Sequence, residues 1–162
     1  MGSALATQMK VNNRMMLNLL RGFRPEQLLH KLEGMGSCPL WNAGHVAVYR
    51  PAYGQLLGRP IEEPSWAEHF GRGSDAGPCA DWPDRESVVA YLMESEGVAI
   101  KLLQAADEDD LNRESIYHWT GKPETVMHNL LTLLFHEAYH IGQVGMVYKC
   151  SDLGSVEDLV EL

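Results

Sequence analysis

The chain has 162 residues, 45% of them hydrophobic and 22% charged, the make-up of one globular domain spanning 1–162 and large enough to bury its own core. A formal charge of -9 without any cluster of Lys and Arg excludes a nucleic-acid surface and a basic membrane-binding face. No apolar run approaches the roughly 20 residues of a spanning helix, no signal-peptide pattern opens the chain, and Cys38, Cys79 and Cys150 contain no C-x-x-C pair. The expectation is a cytoplasmic protein without membrane contact or a disulfide framework.

Taken in order, Leu5, Met9, Met16, Leu19 and Leu20 recur at helical spacing and predict a first helix from Leu5 to Leu20, closed by Gly22. Pro25 to Leu29 reads as a short helical turn with Pro at its first position. Ser37 as N-cap and Pro39 in the first turn open a second helix that runs through Trp41, Val48 and Tyr53 towards Leu57, kinked or divided at Pro51. Gly58 to Trp82, punctuated by Pro60, Pro64, Gly71, Gly73, Gly77 and Pro78, reads as a long irregular crossover. A third helix opens at Pro83 and runs through Val88, Leu92, Ala99 and Leu103 to Ala106. The acidic run Asp107 to Asp110 lacks the glycine and ligand spacing of a calcium loop and reads as a solvated connection. A fourth helix, begun by Pro123, buries Val126, Leu130, Leu133, Leu134, Ile141, Val144 and Val147. Four long helices with no convincing strand predict an all-α four-helix bundle with a long crossover between the second and third.

The chemistry concentrates in His136-Glu137-Ala138-Tyr139-His140. Two histidines four apart on a helix project from one face, where both imidazoles reach one metal ion. A transition metal wants a third protein ligand and, for catalysis, an open position. Among His30, His45, His69, His118, His128, His136 and His140, only His45 lies inside another predicted helix among core-facing residues, with Gly44 before it to permit close helix approach. Bundles build metal sites from ligands projected inwards by facing helices, so His45, His136 and His140 form the predicted triad. His128 lies on the same stripe nearer the bundle end, and His30, His69 and His118 belong to turns or loops. Zn, Ni, Fe and Mn all accept imidazole, so the cofactor expected is a divalent metal ion of that group. Such an ion can lower the pKa of a bound water or thiol. Glu137 is the candidate catalytic base, although its offset of about 100 degrees from the histidine face equally allows it to be paired elsewhere. Asn42 and Gln143 could orient the imidazoles, Trp41 and Tyr49 wall a pocket, and Trp66, Phe70 and Trp119 serve as lid residues.

The same pentapeptide satisfies the H-E-x-x-H zincin peptidase pattern, with Glu137 as base. The metzincin extension fails at Gln143 and Met146, and a downstream carboxylate ligand would have to be Glu157 or Glu161 in a short acidic tail. A non-catalytic metal clip or interaction module, with Gly142 and Gly145 facing a partner, is the other alternative.

The segment His136 to Val144 and the preceding histidine segment Trp41 to His45 resemble the signature of the DinB/YfiT-like superfamily. That resemblance implies an up-down-down-up bundle, often a homodimer, holding a divalent metal at the positions matched by His45, His136 and His140. It also implies a small-molecule substrate, with a low-molecular-weight thiol as partner in the thiol-dependent transferases and isomerases of that superfamily.

Overall fold

The structure, a computed structural model, describes residues 1–74, 80–154 and 159. Cys79 and the proposed peptidase ligands Glu157 and Glu161 lie outside the described residues. Helix α1 covers Gly2–Gly22, α2 Pro39–Val48, α3 Arg50–Leu56, α4 Arg85–Ala105, α5 Glu108–Asn112 and α6 Val126–Cys150. No strand occurs among the described residues, and none of their helices is long and apolar enough to cross a membrane.

Helix ends depart from the expected positions for local reasons. Asp84, not Pro83, caps α4 by accepting from the Ser87 amide at 2.8 Å. Thr125 caps α6 through His128 N–H at 3.2 Å. Pro123 stays outside that helix because the Glu124 carbonyl is held extended by the Ser115 amide at 2.8 Å. Cys38 rather than Ser37 occupies the cap of α2, and the Ser37 hydroxyl instead accepts from Asn42 Nδ2 at 3.0 Å. Pro51 divides the second predicted helix into α2 and α3 at Tyr49, since it lacks an amide proton and its ring crowds the carbonyl one turn back. The acidic run is not a plain connection: Asp107 and Asp110 close a reciprocal cap on the short, exposed α5.

The helix directions follow from which ends meet. The start of α1 at Gly2 lies against Leu103 and Ala106 at the end of α4, and Arg85 at the start of α4 donates to the Phe23 carbonyl just past the end of α1. These two helices are therefore antiparallel. The ends of α1 and α6 meet at Phe23 and Tyr148, whose rings pack edge to face at 5.2 Å, so α1 and α6 run parallel. Along α2 and α6 the pairs Asn42–His140 and His45–His136 run in opposite senses. The result is the up-down-down-up bundle, with α1 and α2 across the diagonal from each other.

The core has two apolar halves. One gathers Met16, Leu20, Ala43, Val88, Leu92 and Val147; the other gathers Leu5, Met9, Tyr53, Leu103, Leu130 and Leu134. Between them polar groups converge from four helices: Asn12 and Asn13 from α1, Arg50 from α3, Glu96 from α4, and Glu137 from α6. The Arg50 Nε lies 3.2 Å from Glu137 Oε1, and its Nη2 donates to Asn13 Oδ1 at 3.1 Å. Asn13 in turn donates to Glu96 at 2.8 Å, while Tyr53 OH and Asn12 Nδ2 donate to Glu137 at 3.1 and 3.4 Å. A polar layer of this kind is costly unless its members satisfy one another, and it allows few alternative registers.

Candidate metal centre

His45 sits in the last turn of α2, and His136 and His140 lie one turn apart on α6, just beyond the polar layer. The antiparallel pairing of these helices brings the three Nε2 atoms together: His136 Nε2 is 3.2 Å from His45 Nε2 and 3.1 Å from His140 Nε2. Metal–nitrogen bonds of about 2.1 Å to one ion set nitrogen–nitrogen separations of about 3–3.4 Å, the spacing found here.

The other ring nitrogens decide what these three atoms can be. His45 Nδ1 lies 2.6 Å from the Phe70 carbonyl, which can only accept, so the proton sits on Nδ1 and Nε2 carries a lone pair. Asn42 Nδ2 donates to the Cys38 carbonyl and to Ser37, which turns Asn42 Oδ1 towards His140 Nδ1 at 2.7 Å. His140 Nε2 is a lone pair by the same logic. His136 Nδ1 is buried without a hydrogen-bond partner, and one proton on His136 Nε2 could satisfy only one of its two neighbours. Converging imidazole lone pairs repel one another unless a cation lies between them, so the donor set fits a divalent metal. Among the described residues, no other His, Cys, Asp or Glu joins the group.

Burial keeps the ligands in the form a metal needs. It pushes His136 down to about 4 and His140 down to about 3, with neighbouring imidazoles adding to both shifts. It also lowers His45, against an opposing pull from the hydrogen bond to Phe70. Trp41 stacks on His45 with ring centroids 4.6 Å apart, and Tyr49 packs against both His45 and His136. A cavity of about 390 Å³ opens on His45 and His136, walled by Tyr49 and Leu133 and by Arg72 and Trp119 from two loops. Trp119 stacks on Tyr117, and its loop is tied down where Glu124 accepts from the Thr120 amide at 2.6 Å.

The remaining sequence candidates fall as follows. Asn42 orients His140 as anticipated, while Gln143 donates to the Tyr139 hydroxyl at 3.2 Å. Glu137 turns away from the triad into the polar layer, where burial pushes its carboxyl up and Arg50, Tyr53 and Asn12 pull it back. Of the three lid residues only Trp119 lines the cavity; Trp66 packs on Phe70 and Tyr91, and Phe70 is fully buried. His128 is exposed near Glu124, and His30 and His118 are exposed in loops. His69 is half-buried beside Glu68. Gly145 is buried within the bundle rather than facing outwards, whereas Gly142 is open. The Phe70 carbonyl escapes sequence reasoning, because a backbone acceptor leaves no residue-type signal.

Gly44 has a different role from the close helix approach expected of it. A Cβ there would lie 2.4 Å from the Phe70 ring, so glycine admits the ring that carries the His45 acceptor over α2. Helix propensity favours Ala over Gly by about 1 kcal/mol, yet an overlap this severe must displace Phe70. Gly44→Ala should therefore weaken metal affinity by about 10–100-fold while helicity persists, read by competition with a chromophoric chelator. Unchanged affinity would show that Phe70 does not orient His45.

The family model of the DinB superfamily matches residues 8–144, a span that contains all three histidines. No curated protein sequence matches the chain.

Proposed function

We propose that this chain, which belongs to the DinB superfamily, is a metal-dependent enzyme acting on a small molecule, of thiol S-transferase or hydrolase type. The observation that carries the reading is the convergence of three Nε2 atoms, two of them fixed as lone pairs, beside a cavity lined by His45 and His136. His45, His136 and His140 would hold the ion, which when bound supplies Lewis acidity and makes a thiol or water a nucleophile near neutral pH. The chain's own groups do the rest. Phe70 and Asn42 hold the imidazole tautomers, and Trp41 and Tyr49 fix ring orientation.

Three protein ligands leave room for an exchangeable position, which favours an enzyme over a closed structural clip. A zincin-type peptidase is disfavoured, because its base must reach the attacking water and the Glu137 carboxylate is engaged by Arg50 and Tyr53. The solvent side of α6 exposes Leu131, Phe135, Tyr139 and Met146, with Phe135 71% accessible, a stripe suited to a second copy of the chain.

Elemental mass spectrometry of the purified protein tests the reading, alongside the His45→Ala, His136→Ala, His140→Ala triple variant; light scattering on the parent sample reports its mass. Near-stoichiometric metal is expected in the parent and none in the folded variant. Transfer of a low-molecular-weight thiol to electrophiles is then the first activity to assay. A parent that stays metal-free after reconstitution would end the proposal.

A further inference from the structure

Arg72 follows Phe70 by two residues in the crossover, and its side chain lines the cavity above His45 and His136. Its guanidinium has no hydrogen-bond or ion-pair partner among the described residues. Around it, Tyr49, Trp119, Thr132 and Leu133 carry no charge, and the Thr132 hydroxyl is already donated to the His128 carbonyl. Arg72 is thus the one formal charge in the described wall, facing a cavity with aromatic sides.

We propose that Arg72 is the anion subsite of this cavity, and that the molecule bound there is a small organic carboxylate whose flat or apolar body rests on Trp119 and Tyr49. The proposal rests on reading the cavity as the substrate pocket of the metal centre. A planar guanidinium fork matches a carboxylate in bidentate fashion. A phosphate would ordinarily recruit several donors, such as a helix N-terminus or a nest of amides, and the cavity wall offers one guanidinium. The fixed Tyr117–Trp119 stack, with ring centroids 5.4 Å apart, supplies a rigid surface for the body of the molecule.

Isothermal titration of 3-phenylpropionate and its uncharged amide into metal-free and metal-loaded protein tests this, with parent, Arg72→Gln and Arg72→Lys compared. The parent should bind the carboxylate at least about tenfold more tightly than the amide in both metal states, a difference of about 1.4 kcal/mol. Arg72→Gln should reduce that preference to below about twofold with amide affinity unchanged, and Arg72→Lys should fall between, keeping charge without the fork. Arg72 is exposed, so these variants should fold as the parent does, which circular dichroism verifies. A preference that survives in Arg72→Gln, one seen only with metal bound, or no binding of either probe by the parent would overturn the subsite. A parent that takes up no metal yet shows an Arg72-dependent preference would instead overturn the metal reading and leave the subsite standing.

Discussion

Replacing Arg50 by methionine should lower folding stability by about 3–5 kcal/mol. Arg50 is 1% exposed and Glu137 2%, and removing the guanidinium strands a carboxylate in the centre of the bundle. Glu137→Leu should cost a comparable amount by stranding the cation. The double variant Arg50→Met, Glu137→Leu should lose much less than the sum, because each remaining charge was the source of the other's penalty. Some loss must persist, since Asn13, Asn12 and Tyr53 would still point donors or acceptors into an apolar gap. Urea melts of the four proteins supply the cycle. Single losses below about 1 kcal/mol would show that water reaches the pair and that the polar layer is not a sealed part of the core.

This pair also bears on the metal centre. Glu137 lies between His136 and His140 on α6, and its ties to α1 and α3 fix the rotation of that helix. With Glu137 turned into the core, His136 and His140 are turned towards α2. Much of this was legible in the sequence, because helical periodicity is local. Leu130, Leu133, Leu134 and Val144 define the buried face, and Glu137 falls on the same three-and-four ladder, a signal that it belongs inside. The i,i+4 histidines and His45 within an apolar helix are equally local patterns. Less legible were contacts set by distant parts of the chain. Asn12 and Asn13 read as polar interruptions of α1 until Arg50 and Glu137 are brought beside them. Arg72 reads as an ordinary loop cation until the crossover folds over the triad. The start of α6 shifted past Pro123 because the Glu124 carbonyl is claimed by Ser115, a pairing that local propensity does not encode.

Metal binding and acid should act on this protein in opposite ways. A divalent ion at a thousandfold excess over its Kd stabilises the folded chain by about 4 kcal/mol, so chelation should produce a clear fall in Tm. In the metal-free chain, His136 and His140 titrate at about 4 and about 3, against an unfolded value of about 6.5. The unfolded chain therefore binds more protons below pH 6.5. Metal-free stability is fully present above that pH and is lost as the pH falls towards 4. Metal affinity should behave differently, because folded His136 and His140 remain neutral and protons compete weakly for them down to about pH 5. Three imidazoles of ordinary pKa would lose roughly thirtyfold each at pH 5, a combined loss above ten-thousandfold. With His136 and His140 neutral, the folded site should lose at most the roughly thirtyfold of one ordinary imidazole over the same interval. Chelator competition at pH 7 and pH 5, beside thermal melts of metal-free protein, separates the two effects. A Kd that weakens by a thousandfold or more at pH 5, with melts that hardly move, would mean that His136 and His140 are solvated and that burial does not set their charge.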